Sequence, residues 1–304
     1  MPASNAAAVM GALVADAAAM GLHWIYDPAR IAEVAGNGSA AFVPPDARNF
    51  ENVMAFFAHG ARHTGDFSQY GEVLHLMTRS LARNSGLDVA AYQNAFAAHF
   101  GAGGTYTGYI DRPTRGTLDN LLAEQTDPSG VEDDQHPAVA TLPAIVARYH
   151  GAADLDAQVR AAIQVTNTAP DALKYGTLFA HTLHSLLDGI PLAAALERAA
   201  ADDPLLNAAL TAQETDSVAY GAITQRACHL NQGMPLSFHI LSNATSYADA
   251  IERNIRAGGD SCGRAMIVGA LAGAAWGMDA IPLDWTLSLT HSAQVWQDVC
   301  DALA

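Results

Sequence analysis

The chain has 304 residues, half of them apolar and 15% charged, a composition that builds a deep core and is unlike that of a disordered chain. Thirty-one acidic against 15 basic residues leave a formal charge of −16, which excludes general nucleic-acid binding because a phosphate backbone needs a basic surface. Cys228, Cys262 and Cys300 are too few and too scattered for a disulfide framework, and none forms a CxxC pair.

The first expected element is an apolar helix over Ala6–Met20. Asp16 interrupts it and no basic residue precedes Arg30, so it lacks the start of a secretion signal. Further helices are expected over Gly71–Arg83, Val89–His99, Leu142–Tyr149, Leu155–Val165, Asp171–Leu187, Pro191–Ala200, Val218–Leu230, Tyr247–Arg256, Gly263–Gly277 and Leu289–Leu303. The reasons are abundant alanine, near absence of β-branched alternation, and start signals such as Pro191 and the Ser246-Tyr-Ala-Asp249 capping pattern. Loops are expected at 36–49, 101–117, 126–136 and 231–235. No linker divides the chain, so the expectation is one compact all-α, multi-helix domain over 1–304. The uncharged stretch Ala265–Met278 has 14 residues, short of the roughly 18 that span a bilayer. A cytoplasmic protein with no membrane partner is the expectation.

Three segments carry chemistry. In Gly258-Gly-Asp-Ser-Cys-Gly-Arg264, glycines precede a helix, and Asp260 and Ser261 stand at its positive end. The helix that follows is small on every side, which suits a central position. In His63-Thr-Gly-Asp-Phe-Ser-Gln-Tyr-Gly71 a polar cluster precedes an apolar helix, which Asp66 or Ser68 would cap. In Gly11–Asp27, Asp16 lies inside an apolar run and must find partners, while His23 and Trp24 fall where the helix ends. Each segment by itself is also explained by capping or core packing alone.

Taken together, their order and spacing resemble the ADP-ribosylglycohydrolase family. That family has an opening Gly-Asp-Ala-type helix ending near a Glu, a Thr-Asp-Asp-Thr segment, and Gly-Gly-Asp-Thr-Asp-Thr before a small-residue helix. Ile281-Pro-Leu-Asp-Trp285 is similar to its Ile-Pro-x-x-Trp, and Thr166-Asn-Thr-Ala-Pro170 to its Thr-His-x-x-Pro. His63-Thr-Gly-Asp66, Asp133-Asp-Gln135 and Leu142–Tyr149 resemble the J-crystallin and selenoprotein J branch. The resemblance implies an orthogonal all-α domain of the ADP-ribosylglycohydrolase type. It implies hydrolysis of an ADP-ribosyl N- or O-glycosidic bond, assisted by two magnesium or manganese ions that grip the ribose hydroxyls.

The matching positions depart from this pattern. His23 stands for the Glu, Gly65 and Phe67 for the first Asp and last Thr, and Ser261, Cys262 and Gly263 for Thr, Asp and Thr. Thr64, Asp66, Asp260 and Ser261 are the metal candidates that the resemblance leaves. An altered single ion and no tightly bound metal therefore stand beside the magnesium or manganese pair. Asp66, Asp260, Cys262 and His23 are the catalytic candidates, expected to meet in one open cavity. Cys262, in the first turn of a helix, is also a candidate low-pKa thiol with His23 as its base.

Substrate candidates are Tyr106 and Tyr109 for stacking on a base, Arg112 for a diphosphate, and Asp133, Asp134 and Gln135 for ribose. The implied partner is an ADP-ribose-like small molecule or an ADP-ribosylated protein. A non-catalytic, crystallin-like structural or ADP-ribose-binding member is the alternative, because a fold alone does not establish activity.

Overall fold

A computed structural model describes residues 3–304; Met1 and Pro2 of the expected 1–304 domain lie outside the described residues. Two helices form the axis of the fold. Ala3–Ala19, buried from Asn5 onward, continues into a 3-10 turn at Met20–Leu22. Ser261–Trp276 is buried from Ser261 to Ala274.

Their small residues allow backbone-to-backbone contact. A Cβ on Gly11 would lie 2.3 Å from the Gly269 carbonyl oxygen, and one on Gly273 would lie 2.1 Å from that of Ala7. The helices are antiparallel, so Cys262 meets Asp16 and the turn after the first helix delivers His23 to Asp260. Tyr247, on the helix Tyr247–Ala257, donates its hydroxyl to the Gly11 carbonyl at 2.6 Å and locks a third helix to the pair. Residues 3–22 have the length and hydropathy of a membrane span, but the stretch is packed inside the protein from Asn5 onward.

The described residues form α-helices, short 3-10 turns and isolated bridges, with no β-strand among them. The expected all-α domain is what the chain builds, with corrections at three places. Residues 101–117 were expected as loop, yet Arg112–Leu122 is helical. Asp111 caps it by accepting from the Thr114 N–H at 2.8 Å, and Pro113 occupies its first turn. That start signal is hidden in sequence by the glycine- and tyrosine-rich run before it.

The expected helix Val218–Leu230 is two elements. Ser217–Ile223 ends before Gln225 and Arg226, both at positive φ, and a new helix spans Leu230–Asn243. The expected loop 231–235 lies inside this second helix, with Pro235 in its interior. Gly233 marks a close approach there and not a turn, since a Cβ on it would lie 2.1 Å from His136 Nε2.

Candidate functional site

Asp260 caps the central helix and is its N-terminal anchor. Its Oδ1 accepts from the Gly263 N–H at 3.0 Å and from His23 Nε2 at 2.9 Å. Its Oδ2 accepts from His136 Nδ1 at 2.8 Å and from the Tyr70 hydroxyl at 3.1 Å. The carboxylate is wholly buried. Burial alone would raise its pKa, but neighbouring His136 and the hydrogen bonds from His136 and His23 outweigh it and hold the carboxyl well below the ordinary range. Burial pushes the Tyr70 phenol well up, and Asp260 adds to this.

Space around Asp260 is filled by His136, at the start of Pro137–Ala140. A Cβ on Gly263 would lie 2.6 Å from Asp260 Oδ2 and 2.7 Å from the His136 Cβ. Gly263, where the resemblance expects Thr, is the residue that leaves room for this imidazole.

His23 extends the network outward. Its Nδ1 faces His59 Nε2 at 2.7 Å, and its ring stacks on Trp24 with centroids 4.3 Å apart. Burial lowers the pKa of both imidazoles, that of His59 strongly, so both are neutral at pH 7. His59 Nδ1 is buried without a partner. Beneath lies Asp16, both of whose oxygens are taken by Ser68, one by its N–H at 2.8 Å and one by its hydroxyl. Gly71 makes room for this carboxylate, since a Cβ there would lie 2.2 Å from Asp16 Oδ2. Burial raises Asp16 from an ordinary 3.8 to about 7.

Cys262 is fully buried, and its thiol points at the Asp16 carbonyl oxygen at 3.6 Å. Burial, with Asp16 and Asp260 adding to it, pushes this thiol well above its ordinary pKa. The expected low-pKa thiol is therefore corrected: two carboxyl groups and desolvation outweigh the position in the first helical turn.

The expected open cavity joining Asp66, Asp260, His23 and Cys262 is also corrected. His23, Cys262 and Asp260 are buried, and Asp66 bonds elsewhere. It accepts from the His63 N–H at 2.8 Å and from the Thr290 hydroxyl at 2.7 Å, on the protein's rim. Its hydrogen bonds from Thr290 and His63, working against burial, lower its pKa. Thr64 is exposed, and the Ser261 hydroxyl is buried without a partner.

The substrate candidates divide. Tyr106 points inward, donating to the Tyr109 carbonyl at 3.1 Å beneath the Arg62 guanidinium, so its face is not free to stack on a base. Tyr109 packs edge-on against Trp24 and Phe56, and Phe56 is 52% exposed. Arg112 pairs with Asp133 at 3.2 Å, and Asn167 donates to the Asp133 carbonyl and carboxylate. Asp134 bonds His229 at 2.6 Å, and the Gln135 N–H donates to Asp133 Oδ1.

Sequence reasoning missed Tyr70, His59 and His136 as members of the centre, and cast Asp16 and Ser68 only as a core carboxyl and a cap. The unexplained Asp16 was the available signal, because a carboxyl in an apolar helix requires a donor such as Ser68. His136 carried no sequence signal of its own.

The resemblance implies hard divalent ions, and the donor chemistry tests this. A carboxylate offers about four lone-pair sites, and all four on Asp260 face protein donors. Asp16 accepts two hydrogen bonds from Ser68, and Asp66 accepts one each from the Thr290 hydroxyl and the His63 N–H. Magnesium demands near-octahedral oxygen ligands, and this arrangement of imidazoles, phenol and thiol does not fit two such ions.

A family model described as ADP-ribosylglycohydrolase matches residues 4–304. Crystallin J1A of Tripedalia cystophora is 27% identical over 319 aligned positions, covering 96% of this chain and 93% of that protein. Crystallin J1B of the same organism is 26% identical over 307, covering 92% and 89%. A solved structure titled ADP-ribosylglycohydrolase-related protein complex superposes with a TM-score of 0.68 at 17% identity. It covers 99% of this chain and 98% of that one, a likeness of fold.

Proposed function

Since this chain belongs to the ADP-ribosylglycohydrolase family, we propose that it is a non-hydrolysing member whose former ion centre has become a hydrogen-bonded core, beneath a rim that binds an ADP-ribose-like ligand. The observation that carries this reading is the saturation of Asp260 by His23, His136, Tyr70 and the Gly263 N–H. A carboxylate so engaged cannot also grip a cation without breaking buried hydrogen bonds, each worth about 1.5–3 kcal/mol when charge-assisted. The filling of the adjacent space by His136 against Gly263 supports it too. Two relatives bearing crystallin names are consistent with a fold kept for its stability.

For the rim, Tyr109 with Trp24 and Phe56 supplies an aromatic edge for a base. Arg112 is 69% exposed beside Asp133 and available to a diphosphate. Thermal unfolding with and without ADP-ribose tests binding, because a ligand raises the midpoint of the state it binds. The expected result is a midpoint rise that is independent of magnesium and manganese, with no release of ADP-ribose from modified arginine or serine peptides. Release of ADP-ribose by the purified chain, abolished in Asp260→Asn, sinks the reading.

Hydrolysis of an ADP-ribosyl bond, with magnesium or manganese, is the second reading. It is favoured by one observation: Asp66 is a part-exposed carboxylate with a depressed pKa, on the segment resembling Thr-Asp-Asp-Thr. Loss of turnover in Asp66→Asn at unchanged stability would establish it.

A further inference from the structure

We propose that His23, His59 and Cys262 form a closed site for one soft divalent ion of the zinc class, in place of the paired hard cations that the family resemblance implies. Their candidate ligand atoms lie within 4.8 Å of one another, and all three residues are buried. They come from three separate parts of the chain: the turn ending the first helix, the loop before residue 60, and the first turn of the central helix. A thiol with two imidazoles is the ligand chemistry of zinc and its congeners and is foreign to magnesium.

The hydrogen bonds around the trio already resemble a metal site's outer shell. Asp260 is acceptor-only, so the nitrogen of His23 facing it at 2.9 Å carries a proton. The other nitrogen of His23, Nδ1, is then a bare lone pair aimed at His59. A carboxylate behind an imidazole is the usual second-shell support of a ligating histidine, fixing its tautomer and ring orientation. With His23 Nδ1 as acceptor, His59 Nε2 must be the donor across the 2.7 Å contact, leaving His59 Nδ1 bare. That nitrogen is buried without a partner, at a cost that a closed core rarely leaves standing.

Ion binding replaces the contact between the two imidazoles. The proton on His59 moves to its Nδ1, which stays without a protein partner, and Nε2 is freed as a ligand beside His23 Nδ1. The Cys262 thiol loses its proton to solvent as the sulfur–ion bond forms. The balance is one ion bound and one proton released, with no oxidant or reductant. The thiol gives up only a long contact to the Asp16 carbonyl. Because the trio is closed, the ion enters during folding, as in proteins whose metal binding and folding are coupled.

A second cluster supplies an internal control. His150, His184 and Asp188 also converge within 4.8 Å, but they lie toward the surface and include no sulfur. Cobalt(II) distinguishes the two, since only a thiolate ligand gives a sulfur-to-cobalt charge-transfer band.

The experiment uses the full chain carrying His184→Ala, refolded with cobalt(II), dialysed, and measured for metal content and optical spectrum. The expected result is one cobalt per chain with the thiolate band. Zinc should erase that band, and a large excess of magnesium should leave it unchanged. Cys262→Ser should remove the band and Cys300→Ser should retain it. Asp260→Asn, which disturbs the support behind His23, should weaken binding by about 10–100-fold. Absence of cobalt from the refolded His184→Ala protein overturns the proposal, as does a thiolate band that survives in folded Cys262→Ser. Both outcomes are read without ADP-ribose, so they separate from any failure of the binding reading.

Discussion

Asp260 and Asp16 are both wholly buried, close together at the same helix junction, and their carboxyl groups are shifted in opposite directions. Asp260 meets four donors from four parts of the chain. Asp16 meets two, both from Ser68. Burial penalises the two charges alike, so the supply of donors decides which carboxyl stays ionised. The same supply explains why Asp260 has nothing left for a cation, whereas Asp16 rests near neutrality as a structural clamp between the first helix and the Gln69–Asn84 helix.

The contrast breaks most sharply at Asp260. Asp260→Ala orphans His23, His136, Tyr70 and the Gly263 N–H together, and a buried polar group left unsatisfied costs about 1–3 kcal/mol. Urea unfolding should show a loss of that order, larger than the loss from Asp16→Ala. Equal losses would show that donor number does not separate the two carboxyls.

A smaller effect is expected from Gly263→Thr, which restores the residue that the resemblance calls for. Its side chain would collide with His136, and overpacking of this kind costs about 1–3 kcal/mol. Pairing it with His136→Gly should recover most of the loss, seen as a double-mutant coupling in unfolding midpoints. Additive losses would mean that His136 does not fill that space.

The carboxyl pair also separates by pH. Asp16 has a raised folded-state pKa, so the folded protein holds a proton that the unfolded chain releases between about 3.8 and about 7. Its contribution is fully present below pH 3.8 and is lost as the pH rises through about 7. The slope is at most about 1.4 kcal/mol per pH unit. Asp16→Asn should flatten that window in a stability–pH series. Asp260, with a depressed pKa, contributes above its ordinary 3.8 and loses that contribution only in stronger acid.

The smallest effect belongs to the rim. Asp66→Asn removes a part-exposed carboxylate bonded to Thr290 and the His63 N–H. Solvent screening should hold the change in thermal unfolding below about 1 kcal/mol. A larger loss would mark Asp66 as part of the folded core.

The fold was legible because its controlling features are local: alanine-rich helices, caps at Ser246 and Ser68, and the small face of Ser261–Trp276. Pairing of the two axial helices was legible only in part, since Gly11 and Gly269 announce close contact without naming each other. The expected loops around Arg112 and Gly233 are helical instead, because Pro113 starts a helix and Gly233 accommodates a ring. At the site, Asp260 and His23 were legible through the motif, and their mutual contact followed from it. His136, Tyr70 and His59 were not, because what recruits them is the space and charge left by replacements elsewhere. Gly263 shows this best. In sequence it is a lost Thr, and in the fold it is the gap that an imidazole occupies.

Saturation of Asp260 by protein donors should close it to hard cations. A manganese(II) titration of the purified chain, following free manganese by electron paramagnetic resonance, tests it directly. No bound manganese should depend on Asp260. Two manganese ions per chain, both lost in Asp260→Asn, would contradict it.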